Sequence, residues 1–186
     1  LKIVWNSVAP WIGTGYGQQT AMFTPRIKAL GHDVVISGYA GIEGCITSWE
    51  GIKVYPGDVS KLNKWALPRI VNRESEDGDL RSVQVITLQD VWTWLEAAYG
   101  GIANYEGLKI ASWCPVDHDP VPPGVIRALK AFDSRPIAMS RFGFTRLQNF
   151  EFDPLYVPHG VETNILKPLA PEIRDMAREH MGIPKD

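Results

Sequence analysis

The sequence predicts an α/β domain in which a parallel sheet carries helices on both faces. Two observations carry this. Short apolar runs of strand length alternate with segments of helical character along the chain, and most of these runs lead into a loop rich in glycine, proline or aspartate. A third sets the scale: 186 residues, 45% hydrophobic and 22% charged, suit one globular domain with a substantial core.

Lys2-Ile3-Val4-Trp5-Asn6 reads as the first strand, and the Gly-rich run Trp11 to Gly17 as the loop after it. A helix is expected from about Gln18 to Leu30, with Phe23, Ile27 and Leu30 on one face at i, i+4 and i+7. Pro25 should kink it, because proline lacks the N–H and crowds the carbonyl one turn back. Gly31 stands where a left-handed residue ends a helix. Val34–Ser37 is the second strand. Residues 38–57 hold glycines at 38, 41, 44, 51 and 57 and read as loop, with short strands around Ile46 and at Lys53–Tyr55. Residues 60–73 read as a helix broken near Pro68, and Glu74–Asp79 as an exposed acidic loop. Val83–Leu88 is a buried strand, followed by a helix from Val91 to Tyr99. Leu108–Trp113 is the next strand, then a Pro-rich loop from Cys114 to Pro123, a helix over Gly124–Phe132 and a strand over Arg135–Met139. Ser140 is the expected N-cap of a helix ending near Glu151. Leu155–Val157 is the last strand. Pro171–Met181 is a final helix, its proline in a permitted first-turn position.

Right-handed crossovers put every loop that follows a strand on one edge of such a sheet, and ligands bind at that edge. The loops to read are therefore 7–17, 37–44, 89–91, 114–120, 140–143 and 158–162. In the first, Gly13-Thr14-Gly15-Tyr16-Gly17 permits close backbone approach, and the helix beyond offers unpaired N–H groups to an anion. It reads either as a phosphate contact or as a plain strand-to-helix turn. Dinucleotide binding is disfavoured: Gln18 stands where a third glycine belongs, and the second strand ends in Ser37-Gly38-Tyr39 without the acid that grips a ribose. A triphosphate-binding P-loop is excluded, because no Gly-Lys-Ser/Thr follows.

Pro115-Val116-Asp117-His118-Asp119-Pro120 gathers three titratable groups at a strand end. A neighbouring carboxylate fixes the tautomer of a histidine. The loop reads as a site that meets sugar hydroxyls or the reacting centre, or as a proline-stiffened solvated turn. A metal site is disfavoured, since no other His or Cys has ligand spacing to it. Asp90 either accepts from a substrate hydroxyl or caps the helix at Val91. His159, alone in a turn, reads as a hydrogen-bonded structural group. Trp5 and Trp113 lie in strands and read as core, while Trp92 and Trp94, two residues apart, cannot share a helix face. Trp11 either stacks on a sugar or packs over its own loop. Cys114 has no adjacent histidine to act as its base, so a nucleophilic role is not expected.

A net charge of −2 and a pI near 6.1 argue against nucleic acid as a partner. No apolar run approaches the ~18 residues of a membrane span, and no secretory leader is evident. Two cysteines, Cys45 and Cys114, fit a reducing, cytoplasmic setting and no disulfide scaffold. Lys61, Lys64, Arg69 and Arg73 would line the 60–73 helix, either as a solvated face or as a contact with the inner face of a membrane.

Two segments carry a family resemblance. Arg135-Pro136-Ile137-Ala138-Met139-Ser140-Arg141-Phe142-Gly143, followed by Tyr156-Val157-Pro158-His159-Gly160-Val161-Glu162-Thr163-Asn164-Ile165-Leu166-Lys167-Pro168, resembles the N-terminal domain of family 4 glycosyltransferases of the GT-B fold. Glu162 stands for the usual Asp and Leu166 for the usual Phe. The opening strand, Gly-rich loop, helix and Gly31-His32-Asp33-Val34 fit the same pattern. The resemblance implies a Rossmann-like domain over residues 1–168, the acceptor-binding half of a two-domain enzyme, with 169–186 leading toward an absent C-terminal donor domain. It implies transfer of a sugar from a nucleotide-diphosphate sugar to a saccharide, lipid or small-molecule acceptor, with retention of configuration and without a cofactor or bound metal. By the same resemblance Gly13–Gly17 touch the donor diphosphate and His118 acts at the sugar. Trp11, Asp90, Asp117 and Asp119 line the acceptor side, and Ser140, His159 and Gly160 face the cleft between domains. The alternative is a stand-alone sugar- or nucleotide-binding domain without catalysis.

Overall fold

The computed structural model describes residues 1–57, 63–94 and 105–184. Eight strands form one sheet: β1 (Lys2–Val8), β2 (Asp33–Ala40), β3 (Thr47–Trp49), β4 (Ile52–Pro56), β5 (Val83–Leu88), β6 (Lys109–Cys114), β7 (Arg135–Ala138) and β8 (Leu155–Tyr156). Their order is β3-β4-β2-β1-β5-β6-β7-β8. Every pairing is parallel except β3 with β4. Five α-helices are described: α1 (Gly15–Ala29), α2 (Ala66–Glu74), α3 (Pro123–Ala131), α4 (Arg141–Gln148) and α5 (Pro171–His180).

Strand alternation sorts the core onto two faces. Ile3, Trp5, Ile36, Val54 and Trp113 pack with Phe23 and Ile27 of α1 on one face. Val4, Val35, Val83, Val85 and Ile110 pack with Leu67, Ile70 and Val71 of α2 on the other. On that second face Cys114 and Ala138 also meet Val125 and Leu129 of α3 and Leu147 of α4. Trp5 and Trp113 are core, with ring centroids 6.0 Å apart. Trp94 is buried against Tyr105 and Phe132, whereas Trp92 is exposed.

The chain leaves β1 toward β2 and β4 on one side and resumes at β5 on the other. The strand order thus reverses between β1 and β5. That crevice, at the carboxyl ends of the strands, is where open α/β sheets bind ligands.

Several expectations need correction. α1 starts at Gly15, because Thr14 caps it: the Thr14 hydroxyl accepts from the Gly17 N–H at 3.1 Å. It ends one residue before Leu30, which is 77% exposed and leaves the buried face to Phe23 and Ile27. The helix runs unbroken through Pro25. Pro68 lies in the first turn of α2, where its missing N–H costs nothing. Glu74 is not in an exposed loop; it ends α2 and is buried. The basic face expected on 60–73 is not formed as drawn. Lys64 precedes α2 and is buried, and Arg73 lies over the Tyr55 ring; Lys61 is outside the described residues. The helix expected over 91–99 begins as a 3-10 turn, Val91–Trp94, and its remainder is also outside them. No described helix is long and apolar enough to cross a membrane.

Candidate functional site

The crevice between β1 and β5 is built by the first turn of α1. None of Gly13, Gly15 and Gly17 has a left-handed φ. Gly17 is there for proximity: a Cβ would stand 2.1 Å from the Ile12 carbonyl oxygen. Gly13 and Gly15 face open space, where an added Cβ would have no atom within 4 Å. The first-turn N–H groups of Gly15 and Tyr16 have no carbonyl one turn earlier to meet. The result is an uncrowded turn at the positive end of a helix dipole.

Tyr16 reaches across the crevice. Its hydroxyl donates to the Asp90 carboxylate over 3.4 Å, joining α1 to the loop after β5. Burial, and then the Asp90 charge, raise the Tyr16 phenol well above its ordinary value. Tyr39, at the end of β2, is pushed up to about 12 by the same two causes. Cys114, at the end of β6, is pushed up to about 12 by burial and then by Asp90. Both phenols and the thiol therefore stay protonated and neutral. Beside it, Gln89 is buried and its amide nitrogen and oxygen have no partner among the described residues.

The loop after β6 divides its three titratable groups. Asp117 and His118 are both exposed, and the Asp117 carboxylate holds His118 Nδ1 at 2.6 Å. Nε2 has no hydrogen-bond partner among the described residues. Asp119 turns the other way and pairs with Arg146 of α4 at 2.6 Å. Gly143 lets the first turn of α4 approach this loop, where a Cβ would meet Val116 at 3.2 Å. Ser140 caps α4 as expected, its hydroxyl accepting from the Gly143 N–H at 3.0 Å.

The segment after β8 is clamped onto α1. The Gln19 side-chain amide donates to the Gly160 carbonyl at 3.0 Å and accepts from the Gly160 N–H at 2.8 Å. Trp113 donates to the Val157 carbonyl at 2.8 Å, and the His159 ring stands edge-on to Trp113 with centroids 5.0 Å apart. Partial burial lowers the pKa of His159. Arg26 pairs with Glu162 at 2.6 Å. Beyond this clamp, α5 buries no residue.

Of the residues singled out from sequence, the structure brings Tyr16 to Asp90 and Asp117 to His118. It holds Trp11 by its indole N–H, which donates to the Gly41 carbonyl at 2.7 Å. Asp119, Ser140 and Gly160 make structural contacts within the chain. Sequence reading does not single out Gln19, Tyr39, Gln89 or Arg146. Each acts through a partner distant in sequence or through burial, and no local motif marks either. A cavity of about 890 Å³ opens at the opposite, amino edge, between Gln84, Lys109, Arg135 and Leu155. None of the sequence-predicted site residues lines it.

No protein-family model matches the chain, and no curated protein does. Among solved structures, the fold is similar to that of a glycosyltransferase from Rickettsia africae ESF-5, with a TM-score of 0.55 at 18% identity. The match covers 100% of this chain and 50% of that one, so the chain spans about half the length of its structural neighbour. At this identity the likeness speaks for the fold: an α/β, Rossmann-like domain of the kind found in a glycosyltransferase.

Proposed function

We propose that this chain is the acceptor-side half of a retaining, GT-B glycosyltransferase, which moves a sugar from a nucleotide-diphosphate donor to an acceptor hydroxyl. The observation that carries the reading is the crevice between β1 and β5. There an uncrowded helix start, whose first N–H groups the helix itself does not use, lies next to a Tyr16–Asp90 pair.

The chemistry asks for both. As the bond between the anomeric carbon and the diphosphate breaks, negative charge grows on the leaving group. The N–H groups of Gly15 and Tyr16 are fixed dipoles able to meet it. The acceptor hydroxyl needs an acceptor of its own hydrogen bond, and the Asp90 carboxylate offers one. His118, with Nδ1 engaged by Asp117, offers Nε2 to a sugar hydroxyl. Asp119 supports this by anchoring the loop to Arg146. Residues 1–168 form the domain in this reading, and 169–186, including the unpacked α5, lead toward a donor-binding half. Ser140, His159 and Gly160 then lie near the cleft as positioning residues. The setting is cytoplasmic.

Calorimetric titration with nucleoside diphosphates tests the reading. The chain is expected to bind them weakly, with Kd near 1 mM or roughly −4 kcal/mol, and Gly15→Ala should weaken this further. Micromolar binding, roughly −8 kcal/mol, would place the main nucleotide site here and overturn the assignment to the acceptor half. No binding at all would remove the phosphate contact.

A further inference from the structure

Seven tryptophans occur in the chain. Trp5, Trp94 and Trp113 are buried and Trp49 is partly so; Trp11, Trp65 and Trp92 are 43%, 44% and 59% exposed. The exposed three share one edge of the sheet. Trp11 lies in the loop after β1 and Trp92 in the turn after β5. Trp65 immediately precedes α2, which runs back to Glu74 beside Lys2 at the start of β1, so its first turn is at the carboxyl edge.

One of these indoles is held by a hydrogen bond, and one sits in a turn with buried neighbours. Trp11 is fixed by its hydrogen bond to Gly41 at the end of β2. Trp92 sits in a 3-10 turn whose neighbours Val91 and Trp94 are buried. Between the Trp11 and Trp92 loops lies the Tyr16–Asp90 pair. An exposed aromatic that is already ordered loses little entropy on binding.

The charge beside them decides what they fit. Glu43 and Asp117 are exposed on this edge and Asp90 is half-buried. Arg141, on the same edge, lies over the Tyr156 ring at 5.3 Å. An anionic bilayer would meet carboxylates here. A neutral pyranose meets what it needs: a flat aromatic face for its C–H surface and a carboxylate for its hydroxyls.

We infer that Trp11, Asp90 and Trp92 form a binding surface for a neutral oligosaccharide of two or more sugar units, with Trp65 extending it. This rests on the proposed acceptor role of the edge and names the acceptor class: a neutral glycan, not a lipid headgroup. Trp92 and Trp65 are the specificity residues it adds, on turns beside those that carry Asp90 and Trp11.

The test is binding of the labelled chain to an array of neutral and acidic glycans, alongside vesicles of equal phosphatidylglycerol and phosphatidylcholine. Neutral oligosaccharides are expected to bind, and Trp11→Ala and Trp92→Ala should each weaken this by at least about tenfold. Leu30→Ala, which removes an equally exposed apolar group at the far end of α1, should leave it unchanged; circular dichroism checks that each variant is folded. Binding only to acidic glycans, only to vesicles, to nothing, or without regard to Trp11 and Trp92 overturns the inference. The nucleoside-diphosphate titration on the same samples separates the two ideas. Diphosphate binding without glycan binding ends this inference and leaves the transferase reading. Glycan binding without diphosphate binding keeps the surface and removes the phosphate contact, and glycan binding with micromolar diphosphate binding keeps the surface and overturns the acceptor-half reading.

Discussion

The two edges of the sheet handle charge in opposite ways. At the amino edge, Glu74 is buried and wholly engaged: Lys2 and Lys53 each donate to it at 2.8 Å, and the Tyr55 hydroxyl donates as well. Lys2 also pairs with Asp33 at 2.5 Å. At the carboxyl edge, Asp117 and His118 are exposed, and the Gln89 amide has no partner among the described residues. One edge engages its buried acid completely; the other leaves a buried amide without a partner among the described residues. Both edges are polar, so composition does not tell them apart. Pairing does.

Breaking the amino edge should have the largest effect on stability. Burial alone would raise the Glu74 carboxyl, but the hydrogen bonds from Lys2, Lys53 and Tyr55 outweigh it and hold it at about 2, against 4.5 for the ordinary group. Glu74→Ala should cost about 2–3 kcal/mol, at the low end for a buried ion-pair partner because Lys53 is half in water. In a thermal melt that is a loss of about 5–10 °C in Tm. A depressed folded pKa gives stability that is complete above about 4.5 and lost as pH falls toward 2. Wild-type melts should show this slope, and Glu74→Gln should flatten it.

Next comes a pair of glycines two residues apart. Gly17→Ala forces a methyl against the backbone of Ile12 and should destabilise by about 1–3 kcal/mol. Gly15→Ala meets nothing and should leave stability within about 0.5 kcal/mol, while weakening diphosphate binding. Denaturant melts and calorimetry on both variants check this. If both lost stability alike, the open space at Gly15 would be a packing feature and not a ligand seat.

The smallest effect belongs to His159. Its lowered pKa means that stability is lost as pH falls below its ordinary value near 6.5. His159→Phe keeps the edge contact with Trp113 and should remove this slight slope between pH 7 and 5, read from Tm against pH.

How much of this is legible in the sequence depends on the range of the interactions. Val83–Leu88 and the Ser140 cap can be read directly, since an apolar run of strand length and a capping hydroxyl are local signals. The start of α1 escapes such a reading because Gly15-Tyr16-Gly17 is poor helix sequence, and its helical state depends on the Thr14 cap and on Gly17 fitting against Ile12. In sequence, Glu74 looks like one acid in an acidic run. Its burial depends on Lys2 and Lys53, which lie 72 and 21 residues away and meet it only once the sheet is assembled. In the candidate site, Asp117 and His118 are neighbours and visible together, whereas Tyr16 and Asp90 are 74 residues apart. Asp119 groups with the ligand-facing residues in sequence because nothing nearby reveals Arg146 as its partner.

The central claim is that the carboxyl edge is the ligand edge. Amide NMR of the labelled chain during titration with a nucleoside diphosphate tests it most directly. Shifts confined to Gly13–Gly17 and the residues around Asp90, with Lys2, Glu74 and Gln84 unmoved, are the predicted result. Shifts centred on Gln84, Lys109 and Arg135, around the cavity of the amino edge, would contradict it.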